Sequence, residues 1–335
     1  SSLAAQQAGQ AAPAFRAENL YSLGSLDSVA VMQGGLSIQI PIASFGSEIR
    51  TSLQLVYQSS AWEALPQTCP PLNNCAQLYP KKQSRAGLGW RVSLGDLYQP
   101  SPGGAHTPQR FVWASSDGAE HALYPTLHPD DPQDSGDPIP SIHPFEKVMY
   151  TRDGSYARVK CDTAPPETGG YGDCTVETAA GEKHYFNNTS GGTSASYRLE
   201  SITDRFSNEI SIQYLSNPTR WRIFDDHTTP NSGRDIVLTF FTPASNAGDQ
   251  PLLLQSIDLP CFVANGEATC RGENGTRTSW EFGYVLKNTF PPSVFGQSPV
   301  SRPVWFLDQV DLPDGSIFSF PDYSTTTVGG LMTME

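Results

Sequence analysis

The chain carries little charge and almost no uninterrupted helix-forming sequence. Only 16% of its 335 residues are Asp, Glu, Lys or Arg. Long helices need Ala, Leu, Glu, Lys and Arg in periodic runs. Here 29 Gly and 28 Pro break almost every window of that length. Short strands joined by turns are the default for such a composition. Basic residues are few: 21 Lys and Arg against 34 Asp and Glu leave a formal net charge of −13. The single basic run is Lys81-Lys82-Gln83-Ser84-Arg85. Nucleic-acid binders show a basic face, and an acidic surface is repelled by anionic membranes. The balance argues against both partners and is compatible with cations, other proteins or sugars. No apolar stretch reaches the roughly 18–20 residues that cross a bilayer. Ser1 to Phe15 is polar and rich in Ala and Gln, unlike a signal peptide. An exported form would therefore already be processed.

Common reaction signatures are missing too. There is no GxSxG elbow, no P-loop, no HExxH and no GxGxxG before a helix. The histidines are scattered at His106, His121, His128, His143, His184 and His227. His121 and His184 take similar positions after hairpin turns. They could share a site, but a solvated strand face is the expectation for each. A glycosidase needs two carboxylates facing across a cleft, and the acidic residues neither supply nor exclude such a pair. The chain is expected not to be an enzyme.

What is present is a cysteine framework. Six cysteines fall into three close pairs, Cys69 with Cys75, Cys161 with Cys174 and Cys261 with Cys270. Local pairing needs the least loop closure. No CxxC occurs and no His sits at ligand spacing beside a cysteine, so zinc is disfavoured. Three loop-stapling disulfides are expected, and with them an oxidising, secreted or cell-surface location.

Strand patterns fill most of the chain. Residues 1–24 read as a flexible N-terminal arm and 25–110 as an N-terminal β-subdomain. Residues 111–335 read as a β-hairpin array continuing beyond 335. Leu36-Ser37-Ile38-Gln39-Ile40-Pro41-Ile42 alternates apolar and polar, as does Leu53-Gln54-Leu55-Val56-Tyr57. Residues 58–84 read as a long loop carrying the first cysteine pair. In Gly87-Leu88-Gly89-Trp90 the two glycines suit a bulge or close backbone packing. A hairpin signature recurs around Asp117-Gly118, Asp153-Gly154, Ala180-Gly181 and Asp314-Gly315. Asp-Gly suits a type I′ turn, in which both central residues need φ > 0. The fold class expected is all-β: antiparallel β-hairpins forming a sandwich or open shell, with long stapled loops.

Candidate ligand positions are few. Asp130, Asp131, Asp134 and Asp137 lie in one acidic loop. Calcium wants six or more oxygens, and such a loop can supply several. The spacing is not that of an EF-hand and Pro132 limits convergence, so a solvated loop is the competing reading. No other cofactor is implied. Asn187, Asn188 and Asn274 head glycosylation sequons in turn-like stretches. The six tryptophans, Trp62, Trp90, Trp113, Trp221, Trp280 and Trp305, are flanked by strand patterns. Core packing fits them better than sugar stacking.

Several segments resemble the large Rhs/YD-repeat proteins. The most distinctive is Ala86-Gly87-Leu88-Gly89-Trp90-Arg91-Val92-Ser93-Leu94-Gly95. Others are Val31-Met32-Gln33-Gly34-Gly35-Leu36-Ser37-Ile38-Gln39-Ile40-Pro41 and Asp117-Gly118-Ala119-Glu120-His121. Tyr197-Arg198-Leu199-Glu200-Ser201-Ile202-Thr203-Asp204-Arg205-Phe206-Ser207-Asn208 is a fourth. Their order covers most of residues 25–335. The resemblance implies a hairpin chain that winds into a shell or cage, as in teneurins and bacterial toxin complexes. This chain would correspond to the region ahead of, or opening, the repeat array. Tyr-Asp dipeptides are scarce, with only the reversed Asp322-Tyr323, and no C-terminal protease or toxin core is present.

The expected function is a non-catalytic structural or binding module of a large secreted or cell-surface protein, building or capping a β shell. Its partners would be the rest of its own chain, identical subunits, carbohydrate or a cell-surface protein. One alternative is an adhesin or fibre-forming subunit assembling by strand or arm exchange. A second is an extracellular hydrolase acting on polysaccharide.

Overall fold

The computed structural model describes residues 20–22, 27–30, 35–45, 49, 51–69, 72–81, 83–98, 111–128, 146–163, 171–189, 197–216, 219–225, 235–243, 250, 252–260, 277–290 and 301–320. Among these residues the chain is all-β, with 22 strands and no helix. The strand pairs whose register is described are antiparallel, and most join consecutive strands. Among the described residues no helix is long and apolar enough to cross a membrane.

The chain divides into two compact units whose segments alternate along the sequence. The first comprises residues 1–36, 64–77 and 93–205; the second comprises 37–63, 78–92 and 206–335.

In the first unit, strands follow one another in chain order: β8 (Asp96–Tyr98), β9 (Val112–Ala114), β10 (Glu120–Tyr124), β11 (Glu146–Thr151), β12 (Arg158–Thr163), β13 (Tyr171–Glu177), β14 (Lys183–Asn188) and β15 (Tyr197–Thr203). The run curls enough to bring β15 beside β8. Residues directly opposite each other share a face of the sheet. Met149, Val159, Val176, His184 and Ile202 form one such row across five strands. All five are buried. A second row joins Cys161, Cys174, Phe186 and Leu199, again buried. The opposite face carries exposed residues such as Lys160 and Tyr185. This period-2 alternation is what fixes the register, because a one-residue slip would turn both buried rows to water.

The second unit contains another chain-order run: β16 (Glu209–Ser216), β17 (Thr219–Asp225), β18 (Ile236–Phe241), β19 (Leu253–Pro260), β20 (Arg277–Thr289), β21 (Arg302–Asp311) and β22 (Ile317–Ser319). It also contains β3 (Gly35–Phe45), β4 (Thr51–Gln58) and β7 (Trp90–Ser93), in that spatial order. Gly87-Leu88-Gly89 packs backbone against backbone here. A Cβ on Gly87 would sit 2.5 Å from the Leu307 amide nitrogen, and one on Gly89 2.8 Å from the Gln58 carbonyl oxygen. Both glycines also have positive φ, at 95° and 78°. No side chain fits either requirement. Leu88 then donates its N–H to the Trp305 carbonyl at 2.9 Å. It packs with Ala61, Val304 and Phe306.

Three features differ from the sequence reading. Residues 58–84 are not one long loop. They hold a two-stranded ribbon, β5 (Trp62–Cys69) and β6 (Leu72–Pro80), on either side of Pro70-Pro71. Prolines exclude a central strand position but not the strands that flank them. The arm assigned to residues 1–24 includes a strand, β1 (Leu20–Ser22), paired with β2 (Asp27–Ala30). Three of the four recurrent turns are also of another type. Ser115–Ala119, Thr178–Glu182 and Leu312–Ser316 each close by two backbone hydrogen bonds around a three-residue loop. Only the glycines, Gly118, Gly181 and Gly315, have positive φ, between 85° and 87°. That is a type I turn followed by a glycine bulge, which needs one left-handed residue where a type I′ turn needs two. Ala180 can therefore stand where Asp stands in the other two loops.

Candidate functional site

Of the cysteine pairs, the described residues contain the complete Cys161–Cys174 disulfide. The two residues face each other across β12 and β13, inside a buried row. Cys69 ends β5 and Cys75 lies within β6, but their side chains are outside the described residues. So are Cys261, Cys270 and Asn274, and so is the acidic loop with Asp130, Asp131, Asp134 and Asp137. Among the described residues no group of three or more His, Cys, Asp or Glu is placed to hold a metal. Asn187 and Asn188 are the last two residues of β14 rather than turn residues, and both are half-buried. The Asn188 N–H donates to Asp173 Oδ1 at 2.9 Å.

The densest polar cluster is built by two hairpins of the first unit. One joins β9 to β10 through Ser115-Ser116-Asp117-Gly118-Ala119. The other joins β13 to β14 through Thr178-Ala179-Ala180-Gly181-Glu182. In each, a histidine stands six positions after the hydroxyl residue that opens the loop, His121 after Ser115 and His184 after Thr178. Both imidazoles pack on one indole. His121 lies opposite Trp113 in the strand pair and stacks on it, with centroids 4.9 Å apart and planes at 26°. His184 meets the same ring edge-on at 6.1 Å and 72°.

The two histidines live in different surroundings. His121 Nδ1 lies 2.7 Å from Asp153 Oδ2, which comes from the loop between β11 and β12. Its Nε2 lies 3.4 Å from Ser115 Oγ. The facing carboxylate places the proton on Nδ1 and leaves the Nε2 lone pair toward the serine. Asp153 is itself well supported, since Ser155 donates to its Oδ1 from N at 3.1 Å and from Oγ at 2.7 Å. Burial alone would raise the Asp153 carboxyl. The hydrogen bonds from His121 and Ser155, together with the charge His121 carries when it is protonated, outweigh it and hold the group at about 2. The Ser115 hydroxyl has rival acceptors, Asp117 Oδ1 and, at 3.2 Å, the Ala119 carbonyl.

His184 is 6% exposed and belongs to the apolar row. The expectation of a solvated face is corrected here: β14 turns its even-numbered residues His184 and Phe186 to the core. Its Nε2 faces Glu182 Oε2 at 3.6 Å, and the nearby imidazole, against burial, lowers the Glu182 carboxyl. Neither His184 Nδ1 nor Trp113 Nε1 has a hydrogen-bond partner among the described residues, although both are buried. Gly95 stands beside them, and a Cβ there would lie 3.7 Å from His184 Nδ1.

Sequence reasoning paired the two histidines but missed Ser115, Asp153 and Glu182. A readable signal existed: Ser/Thr-x-x-Gly-x-x-His occurs at 115–121 and again at 178–184. Asp153 carried no such signal, because it comes from the next hairpin.

Chemically, the arrangement can tie hairpins together, and at Ser115 it can share one proton among a carboxylate, a carbonyl and an imidazole. Compared with known proteins, the chain matches no family model and no curated sequence.

Proposed function

We propose that the chain is a structural and binding module of a large secreted or cell-surface protein of the Rhs/YD-repeat kind, forming part of the wall of a β shell. One observation carries this reading: in both long runs each strand pairs with its neighbour in sequence. Such a meander adds strands at its edge without rearranging what came before. Phe282, Val310 and Phe318 form one cross-strand row in the second unit. Phe282 and Val310 are buried, whereas Phe318 on β22 is 46% exposed. The apolar face thus runs on to the last described strand, where a further strand would cover it. The Cys161–Cys174 disulfide fits an oxidising location. Bound partners would be further hairpins of the same protein, with carbohydrate or a surface protein met from outside.

Single-particle imaging of the protein purified from its natural source tests the proposal. A hollow β-walled particle with this chain in its wall is the expected result. A solid particle with no lumen would overturn it.

A further inference from the structure

The scaffold reading leaves one feature unused. Ser115, His121 and Asp153 are linked as nucleophile, base and orienting carboxylate are linked in acyl-transfer enzymes. We propose that Ser115 is a reactive serine able to take an acyl group from an unhindered carboxylic ester.

The geometry supplies three requirements. The base is aimed: Asp153 Oδ2 sits 2.7 Å from His121 Nδ1, so Nε2 is the nitrogen free to take a proton. The base is held: Trp113 stacks on the imidazole and Ser155 fixes the carboxylate. The nucleophile is within reach: Ser115 Oγ lies 3.4 Å from Nε2, a looser contact of the kind that tightens when substrate binds. Ser115 is half-buried and its hairpin neighbour Asp117 is exposed, so the hydroxyl sits near a solvated loop.

The chemistry balances. Ser115 Oγ forms a bond to the ester carbonyl carbon and gives its proton to His121 Nε2. The carbonyl reforms as the ester C–O bond breaks, and the leaving alkoxide takes that proton. Water then attacks the acyl-serine, loses a proton to His121 Nε2 and releases the acid, with the proton returning to Ser115. Asp117 competes for the serine proton at rest. It restrains the hydroxyl, and its removal should quicken the first step. The hydrolase expected of none of the absent sequence motifs would thus arise from the fold, in a wall segment whose scaffold role does not depend on it.

The experiment incubates the folded chain with a fluorophosphonate probe and maps the adduct by peptide mass spectrometry. One adduct, on Ser115, is expected. Its rate should fall about 100-fold in His121→Gln, within the range that a general base contributes. It should rise several-fold in Asp117→Ala. Circular dichroism confirms that each variant is folded, and Asp153→Asn replaces His121→Gln if that variant is not. An absence of adduct on Ser115 in the folded protein would overturn the proposal. So would a labelling rate unchanged when the base, or its carboxylate, is replaced.

Discussion

The hairpins β9–β10 and β13–β14 have the same loop geometry, the same glycine bulge and a histidine at the same offset. They differ in what the histidine faces. His121 has a protein partner for each ring nitrogen, Asp153 on one side and Ser115 on the other. His184 has Glu182 on one side and, on the other, a nitrogen buried without a partner among the described residues. The lesson is that a local backbone motif sets where a side chain starts but not its chemistry. The neighbouring strands decide that. β15 and β13 flank His184 with Ile202 and Val176, while the β11–β12 loop brings Asp153 to His121.

The largest way to break this comparison is to place a charge in the buried row and set its cost against a neutral change at His121. His184→Asp would put a carboxylate into the row of Met149, Val159, Val176 and Ile202, costing about 3 kcal/mol or more. His121→Gln keeps a neutral polar group near Asp153 and should cost less, about 1.5–2 kcal/mol, the worth of one hydrogen bond to a charged group. Urea denaturation of both variants checks the gap, and equal losses would contradict the placement of His184.

The shared backbone gives the next test. Gly118→Val and Gly181→Val each force a side chain into a left-handed position, at a cost of about 1–2 kcal/mol. The two losses, read as Tm shifts, should agree closely. A large difference would show that the loops are not equivalent.

Asp153 sharpens the contrast through pH. Its folded-state carboxyl is held at about 2, below the ordinary value of 3.8. A depressed carboxyl stabilises the fold above the unfolded value, and that contribution fades as pH falls toward the folded value. The wild type should therefore lose up to about 2 kcal/mol between pH 4 and pH 2 through this group. Asp153→Asn should lack that component, as acid titrations of the two proteins would reveal. The smallest effect belongs to Asp117→Ala. It removes an exposed loop acceptor for the Ala119 N–H and should cost about 0.5–1 kcal/mol of thermal stability.

Much of the fold was legible because its signals are local. Alternation marked the strands around Leu53 and Ile210, and Gly118, Gly181 and Gly315 marked the turns. Gly87 and Gly89 announced close backbone approach through their spacing before Trp90. The turn type was not legible, since Asp-Gly suits two loops that differ by one residue. The β5–β6 ribbon was hidden because the prolines between Cys69 and Leu72 suggest a loop and say nothing of the strands beside them. The polar cluster was half legible: the histidine offset lies in the sequence, but its pairing with Asp153 depends on the strand order around it. Which face His184 takes was equally hidden, because Lys183-His184-Tyr185-Phe186 alternates in a way that leaves the buried side to register.

Equal hairpins set their histidines against partners on different ring nitrogens, Asp153 at His121 Nδ1 and Glu182 at His184 Nε2. Long-range nitrogen–proton correlation of ¹⁵N-histidine-labelled protein, with His121→Gln and His184→Gln spectra for assignment, reads this directly. His121 should carry its proton on Nδ1, facing Asp153, and His184 on Nε2, facing Glu182. Finding both rings in the same tautomer would contradict the account.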